Sequence, residues 1–168
     1  MWSINGVNIY VASRMAAEPG LSAYAAFLEY CEGFGSVAKE IAKYLNYWRD
    51  YVKRNAVKLN TIHEKYCAQG WDFFGFEYPK YVHRSYPPSE LRKSIPLLDA
   101  AARAAKDDPS ASAKVAFLRK GLEHAIMTAE TALSLRIRAA AVLREKRLLK
   151  NCRLSESLCL SMPSTFQP

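Results

Sequence analysis

A chain of 168 residues, half of them hydrophobic and 24% charged, can enclose one real core but is too short for a barrel enzyme with accessory parts. Its 7 glycines and 8 prolines leave room for long helices and exclude disorder throughout. The charge of +8 is local: residues 1–135 hold 17 Lys/Arg against 14 Asp/Glu, and residues 136–153 hold 7 against 1, so the main body lacks the broad cationic face of a nucleic-acid binder.

From Gly6 to Ala17 the residues Val7, Tyr10, Val11 and Met15 recur at helical spacing, with Arg14 as the main charge, and predict a mostly buried first helix. Glu18-Pro19-Gly20 ends it, because proline lacks the N–H for the next helical hydrogen bond and glycine tolerates a turn. Ser22 is placed to cap a second helix, with Tyr24, Phe27, Leu28 and Cys31 as one apolar stripe and Glu29 and Glu32 facing water. Gly33-Phe34-Gly35 breaks the chain. Ser36 then stands where an N-cap belongs, and Val37, Ile41, Tyr44, Leu45, Trp48 and Val52 predict one long helix to about Lys58, its aromatics serving as core rather than as a sugar platform.

Residues 60–88 change character. Trp71, Phe73, Phe74, Tyr78 and Tyr81 lie between glycines and prolines and read as an aromatic loop that packs between helices or contacts a ligand or partner. Ser89 is expected to cap a further helix that restarts at Pro96 and runs to Lys106, and Asp107-Asp108-Pro109-Ser110 is a turn. A final helix from about Ser112 spaces Val115, Leu118, Leu122, Ala125, Ile126, Ala129 and Leu133 for one buried face, antiparallel to the preceding helix. Beyond Leu135, Arg136, Arg138, Arg144, Lys146, Arg147 and Lys150 form a basic helical extension. Two explanations compete for it: contact with nucleic acid or an anionic membrane surface, or a solvated helix end whose cations suit the negative end of the dipole. Residues 154–168 are Ser- and Pro-rich without a period and are expected to fray.

Chemistry-bearing motifs are sparse. There is no nucleophile elbow, Walker loop, dinucleotide fingerprint or HExxH sequence. The four cysteines, Cys31, Cys67, Cys152 and Cys159, form no CxxC pair, and His63 with Cys67 supplies only two of the four ligands a structural zinc needs, so no metal or other cofactor is expected. Asp72 and Glu77, set among the loop aromatics, are the weak catalytic candidates, since an apolar setting raises a carboxyl pKa and paired carboxylates hydrolyse glycosides. No stretch approaches the length of a membrane span and no secretory leader is recognisable, so the expectation is the cytoplasm, or export if the chain is the end of a longer secreted protein.

Tyr10, Glu18-Pro19, the Leu21–Glu32 helix, Phe34-Gly35 and Ser36-Val37-Ala38 together resemble the C-terminal helical region of large glycoside-hydrolase-like, α-glucuronidase-like bacterial proteins, a domain of unknown function. Tyr86-Pro87-Pro88, Leu97-Leu98-Asp99-Ala100-Ala101 and the Val115–Leu122 helix are similar to the tail of that region. The resemblance spans roughly residues 5–135 and implies an adjacent barrel domain of a longer, carbohydrate-active protein that would hold the catalytic carboxylates. It departs at Gly33-Phe34-Gly35-Ser36, where an aromatic-Gly-Pro sequence is expected, and in the basic stretch after Leu135. The expectation is therefore an all-α bundle of about five helices over 1–135, with a basic extension over 136–153 and a disordered tail over 154–168. It would act as a non-catalytic accessory or packing module; the alternative is a free-standing protein that binds nucleic acid or an acidic partner through its basic helix.

Overall fold

The computed structural model describes the backbone of residues 2–67 and 78–160 and the side chains of residues 6–65 and 81–146. Its elements, in order, are α1 (Trp2–Ala17), α2 (Ala23–Glu32), a 3-10 turn (Gly35–Val37), α3 (Ala38–Arg54), α4 (Ala56–Cys67), α5 (Tyr78–Ser85), α6 (Pro88–Lys93), α7 (Ile95–Ala104) and α8 (Pro109–Leu160). The all-α class holds. The helices number eight among the described residues rather than about five, because short breaks divide segments that periodicity alone joins.

Asn55 is the first such break. It leaves helical geometry (φ −110°, ψ 13°), and its side-chain amide donates to the Tyr51 carbonyl at 2.9 Å, so the predicted long helix splits into α3 and α4. The second break falls at Ser94, where Pro96 forces the expected restart; the Ser94 hydroxyl is fully buried and donates to the Leu91 carbonyl at 2.8 Å. The region expected to be an aromatic loop contains the end of α4 and the whole of α5, with residues 68–77 outside the described residues.

Two caps differ from expectation and one agrees. Ser22 caps α2 by accepting from the Ala25 N–H at 3.1 Å. Ser36 does not cap α3: it sits inside the 3-10 turn and donates its hydroxyl to Asp108 at 2.8 Å. Asp108 in turn accepts from the Ala111 N–H at 3.0 Å, so it caps α8, whose start moves back to Pro109 with the proline in the first turn. Ser89 likewise makes no cap; Pro87 takes that position and Pro88 opens α6. Gly35, at φ 64°, is the one residue with a positive φ among those described, a conformation that a side chain would strain.

The core lies where α3, α7 and α8 meet. Val37, Ile41 and Tyr44 pack with Leu98, Ala101 and Ala105 and with Val115, Leu118, Leu122, Ile126 and Ala129, closed over by Val82 of α5 and Leu91 of α6. Hydrophobic burial at this seam holds the three long elements in register. Helix α7 runs antiparallel to α8, fixed by an Arg119–Asp99 ion pair at 2.6 Å and, from α6, by Arg92 with Glu130. The α1–α2 hairpin packs on α3 and α8. Only part of the expected α2 stripe is buried: Cys31 is, together with Ala26, while Tyr24 and Leu28 are exposed, and Glu29 is paired with Arg14 at 2.9 Å instead of facing water alone. Val52 of α3 is also exposed, and Tyr51 takes the core position.

Candidate functional site

Helix α8 divides into two parts at Ala132. Up to that residue, every third or fourth side chain is buried, the helix packing against α1, α5, α6, α7 and the 3-10 turn; Ala129 is fully buried and Ala132 is the last residue of the core. From Leu133 to Lys146 every described residue is exposed, although the helix continues without a break to Leu160. The 28 residues from 133 to 160 extend about 42 Å along the helix axis at the ordinary rise. Leu135, Ile137, Val142 and Leu143 stand on this arm with 49–61% of their surface exposed.

The basic residues singled out in the sequence lie on this arm. Arg136, Arg138, Arg144 and Lys146 are exposed on it; Arg147 and Lys150 belong to the same helix, with side chains outside the described residues. Their position overturns the dipole explanation. Arg153, the last cation of the run, stands seven residues before the helix end at Leu160, and the final turn carries no basic residue. The dipole's effect is confined to about the last turn, so it does not account for the charges. The helix runs past residue 154 instead of ending where the frayed tail was expected.

Spacing makes the run costly to an isolated helix. Arg144 with Arg147, Arg147 with Lys150, Lys150 with Arg153, and Lys146 with Lys150 repeat like charges at i, i+3 or i, i+4. Each such pair opposes the helix by about 0.2–0.5 kcal/mol. Glu145, the one acid of the stretch, has Ala141, Val142, Leu148 and Leu149 at those spacings and relieves none of them.

Where the arm leaves the body it is bounded by α5. His83, on this helix, is 7% exposed, and neither ring nitrogen has a hydrogen-bond partner. Burial first, and then the charges of Arg136 on α8 and Arg84 on α5, hold its pKa below the ordinary histidine value. Tyr81, expected in an aromatic loop that packs between helices or contacts a ligand, is 3% exposed within α5, a packing position on a helix rather than a loop. Tyr78 belongs to α5 with its side chain outside the described residues, and Trp71, Phe73, Phe74, Asp72 and Glu77 lie outside them altogether. The aromatics of α3 are core, as expected. Trp48 meets Tyr47, Tyr51 and Tyr86 with ring centroids 5.0, 5.8 and 6.0 Å apart, and the buried Tyr51 hydroxyl donates to the Ser85 carbonyl at 2.7 Å.

Among the described residues no three His, Cys, Asp or Glu side chains come together as a metal-binding group, and His63 stands exposed on α4. Cys31 is buried, and desolvation with a smaller contribution from Glu32 pushes its thiol up to about 11, far from the thiolate a nucleophile needs. No helix of the described residues is long and apolar enough to cross a membrane. No family model, no curated protein and no solved structure matches this chain.

Proposed function

We propose that this chain is a non-catalytic helical interaction module that holds a partner protein with the half of α8 beyond Ala132. The observation that carries the reading is the arm itself: a helix that stays continuous while every described residue from 133 to 146 is exposed. Repelling cations and unburied leucines cost such a helix stability, and a partner that covers both offsets that cost. The charge of the stretch, seven cations against one acid over 136–153, selects an acidic partner and opposes pairing with a second copy of the same arm.

The apolar residues favour protein over nucleic acid. Phosphate contacts reward Arg and Lys but leave Leu135 and Val142 in water, whereas an acidic groove with an apolar floor takes this i, i+7 pair as helix-in-groove anchors. Each anchor contributes about 1–2 kcal/mol if it loses most of its exposed surface.

Fluorescence anisotropy tests this with two labelled probes, an acidic amphipathic peptide of Leu and Glu in heptad order and a duplex of about 20 base pairs. The peptide should bind the whole chain, and Leu135→Ser with Val142→Ser should weaken it by about tenfold or more. Binding to the duplex alone, steeply lost with salt and indifferent to those two substitutions, would replace this reading with a nucleic-acid one. No binding to either probe would remove the arm from function.

A further inference from the structure

A second feature stands on the body, apart from the arm. The break at Asn55 opens a cleft of about 360 Å³ between the α3–α4 junction and the start of α6, lined by Tyr51, Arg54, Asn55, Lys58, Pro87, Ser89, Glu90 and Lys93. Its two walls are tied together by tyrosines of α3. The Tyr51 hydroxyl donates to the Ser85 carbonyl at 2.7 Å, and the Tyr47 hydroxyl lies 3.2 Å from both the carbonyl and the carboxylate of Glu90. The backbones of α3 and α6 on either side of the opening are therefore held together by the packing of α3, while Arg54, Lys58 and Lys93 reach into it from exposed positions.

The charges in this cleft do not balance. Glu90 is its one acid, and both carboxylate oxygens are already engaged, one by Lys93 at 2.5 Å and the other by the Tyr47 hydroxyl. Those partners and the nearby charge of Arg54 hold the carboxyl below its usual range despite partial burial. Lys93 is thus neutralised, while Arg54 and Lys58 on either side of the helix break form no ion pair with a described residue. Three cations face one acid. The remaining hydrogen-bonding capacity is mostly donor: the Arg54 guanidinium, two ammonium groups and the Ser89 hydroxyl. The apolar contribution comes from Pro87 and the ring of Tyr51.

A donor-rich cleft with a surplus of two positive charges fits a compact group with several anionic oxygens. Arg offers a planar fork to such oxygens and Lys a point charge. We propose that the Arg54–Lys58–Lys93 cleft is a binding site for a small phosphoryl-bearing anion, with Arg54 and Lys58 as the charged contacts and Ser89 as a neutral donor. A carboxylate ligand would use the same charges with fewer oxygens; the spread of donors over both walls favours the phosphoryl group. The site is independent of the arm's role, since none of its lining residues belongs to α8.

Calorimetric titration of the whole chain in about 150 mM salt tests it, with inorganic phosphate, pyrophosphate and a nucleoside triphosphate as separate probes. Pyrophosphate should bind saturably at one site, and Arg54→Ala and Lys58→Ala should each weaken it about tenfold, with the melting temperature of the unliganded protein unchanged. Arg138→Ala on the arm should leave it unaltered. Tighter binding of the nucleotide would place the phosphoryl group on a nucleotide, and equal or weaker binding would place it on a free phosphate compound; both support the site. Absence of saturable heat with all three probes at about 10 mM would overturn the proposal, as would an equal loss from Arg138→Ala, which would mark the effect as general charge attraction.

Discussion

At the scale of single residues, the most consequential is His83, because burial without a hydrogen-bond partner penalises its charged form. Its two ring nitrogens are enclosed between α5 and the root of the arm, with Arg136 and Arg84 adding positive charge nearby. The folded-state pKa is therefore depressed below the unfolded value of about 6.5. As pH falls below the unfolded value, the unfolded chain takes up a proton that folded His83 refuses, so stability present above that pH is lost as pH approaches the folded pKa. Denaturant unfolding between about pH 7.5 and 5.5 should show this loss, and His83→Gln should flatten it. An unchanged slope in the variant would show that His83 is not the group responsible. The sequence displays His83 as a lone histidine without a motif partner, which is correct as far as spacing goes. Its burial comes with the packing of α5 on α8, a helix that begins only at Pro109, and no local pattern carries that information. The Arg14–Glu29 pair was missed for the same reason, since it joins two helices across a turn.

At the scale of elements, the readable part of the sequence was the long apolar face of α8: Val115, Leu118, Leu122, Ile126 and Ala129 are buried as their spacing predicts. The same rule failed in α2 and at Ser36. Short helices offer too few turns for periodicity to choose a face, and a cap position depends on whether a stronger partner competes; at Ser36 the competitor is Asp108, 72 residues away. The alanines of α7 were similarly opaque, because Leu97-Leu98-Asp99-Ala100-Ala101-Ala102-Arg103-Ala104-Ala105 reads as generic helix-forming sequence. Within the fold, Ala101 and Ala105 are fully buried in the core cluster shared with α3 and α8, so their small size sets how closely the helices approach. Ala101→Leu should destabilise the protein by about 1–3 kcal/mol through overpacking. Ala102→Leu, one position round and exposed, should stay within about 0.5 kcal/mol of the parent. Urea unfolding distinguishes them, and equal effects would mean that the α7 seam is not close-packed.

At the scale of the whole molecule, the question is whether the arm contributes to the stability of the body or only extends from it. The burial boundary answers in structural terms: the core ends at Ala132, and Leu133 to Lys146 are exposed throughout. The arm's apolar residues contribute nothing to folding while they stay in water, and its like-charge pairs oppose the helix rather than the core. Ending the chain after Arg138 keeps Arg136 beside His83 and removes only residues beyond the buried face. The shortened protein should therefore unfold with a free energy within about 0.5 kcal/mol of the parent, while its helical circular dichroism falls by what residues 139–160 supply. It should also lose its affinity for the acidic peptide and keep its response to pyrophosphate. These two readouts separate the arm's function from that of the cleft. A loss of about 2 kcal/mol or more on shortening would mean that the outer half of α8 is packed onto the body, and the interaction reading would fail with it. Retained stability with retained peptide binding would fail it differently, by moving the acidic-partner surface from the outer arm to the body or to the arm's root before residue 139. An arm that holds an acidic partner is therefore both dispensable for folding and indispensable for that partner's binding.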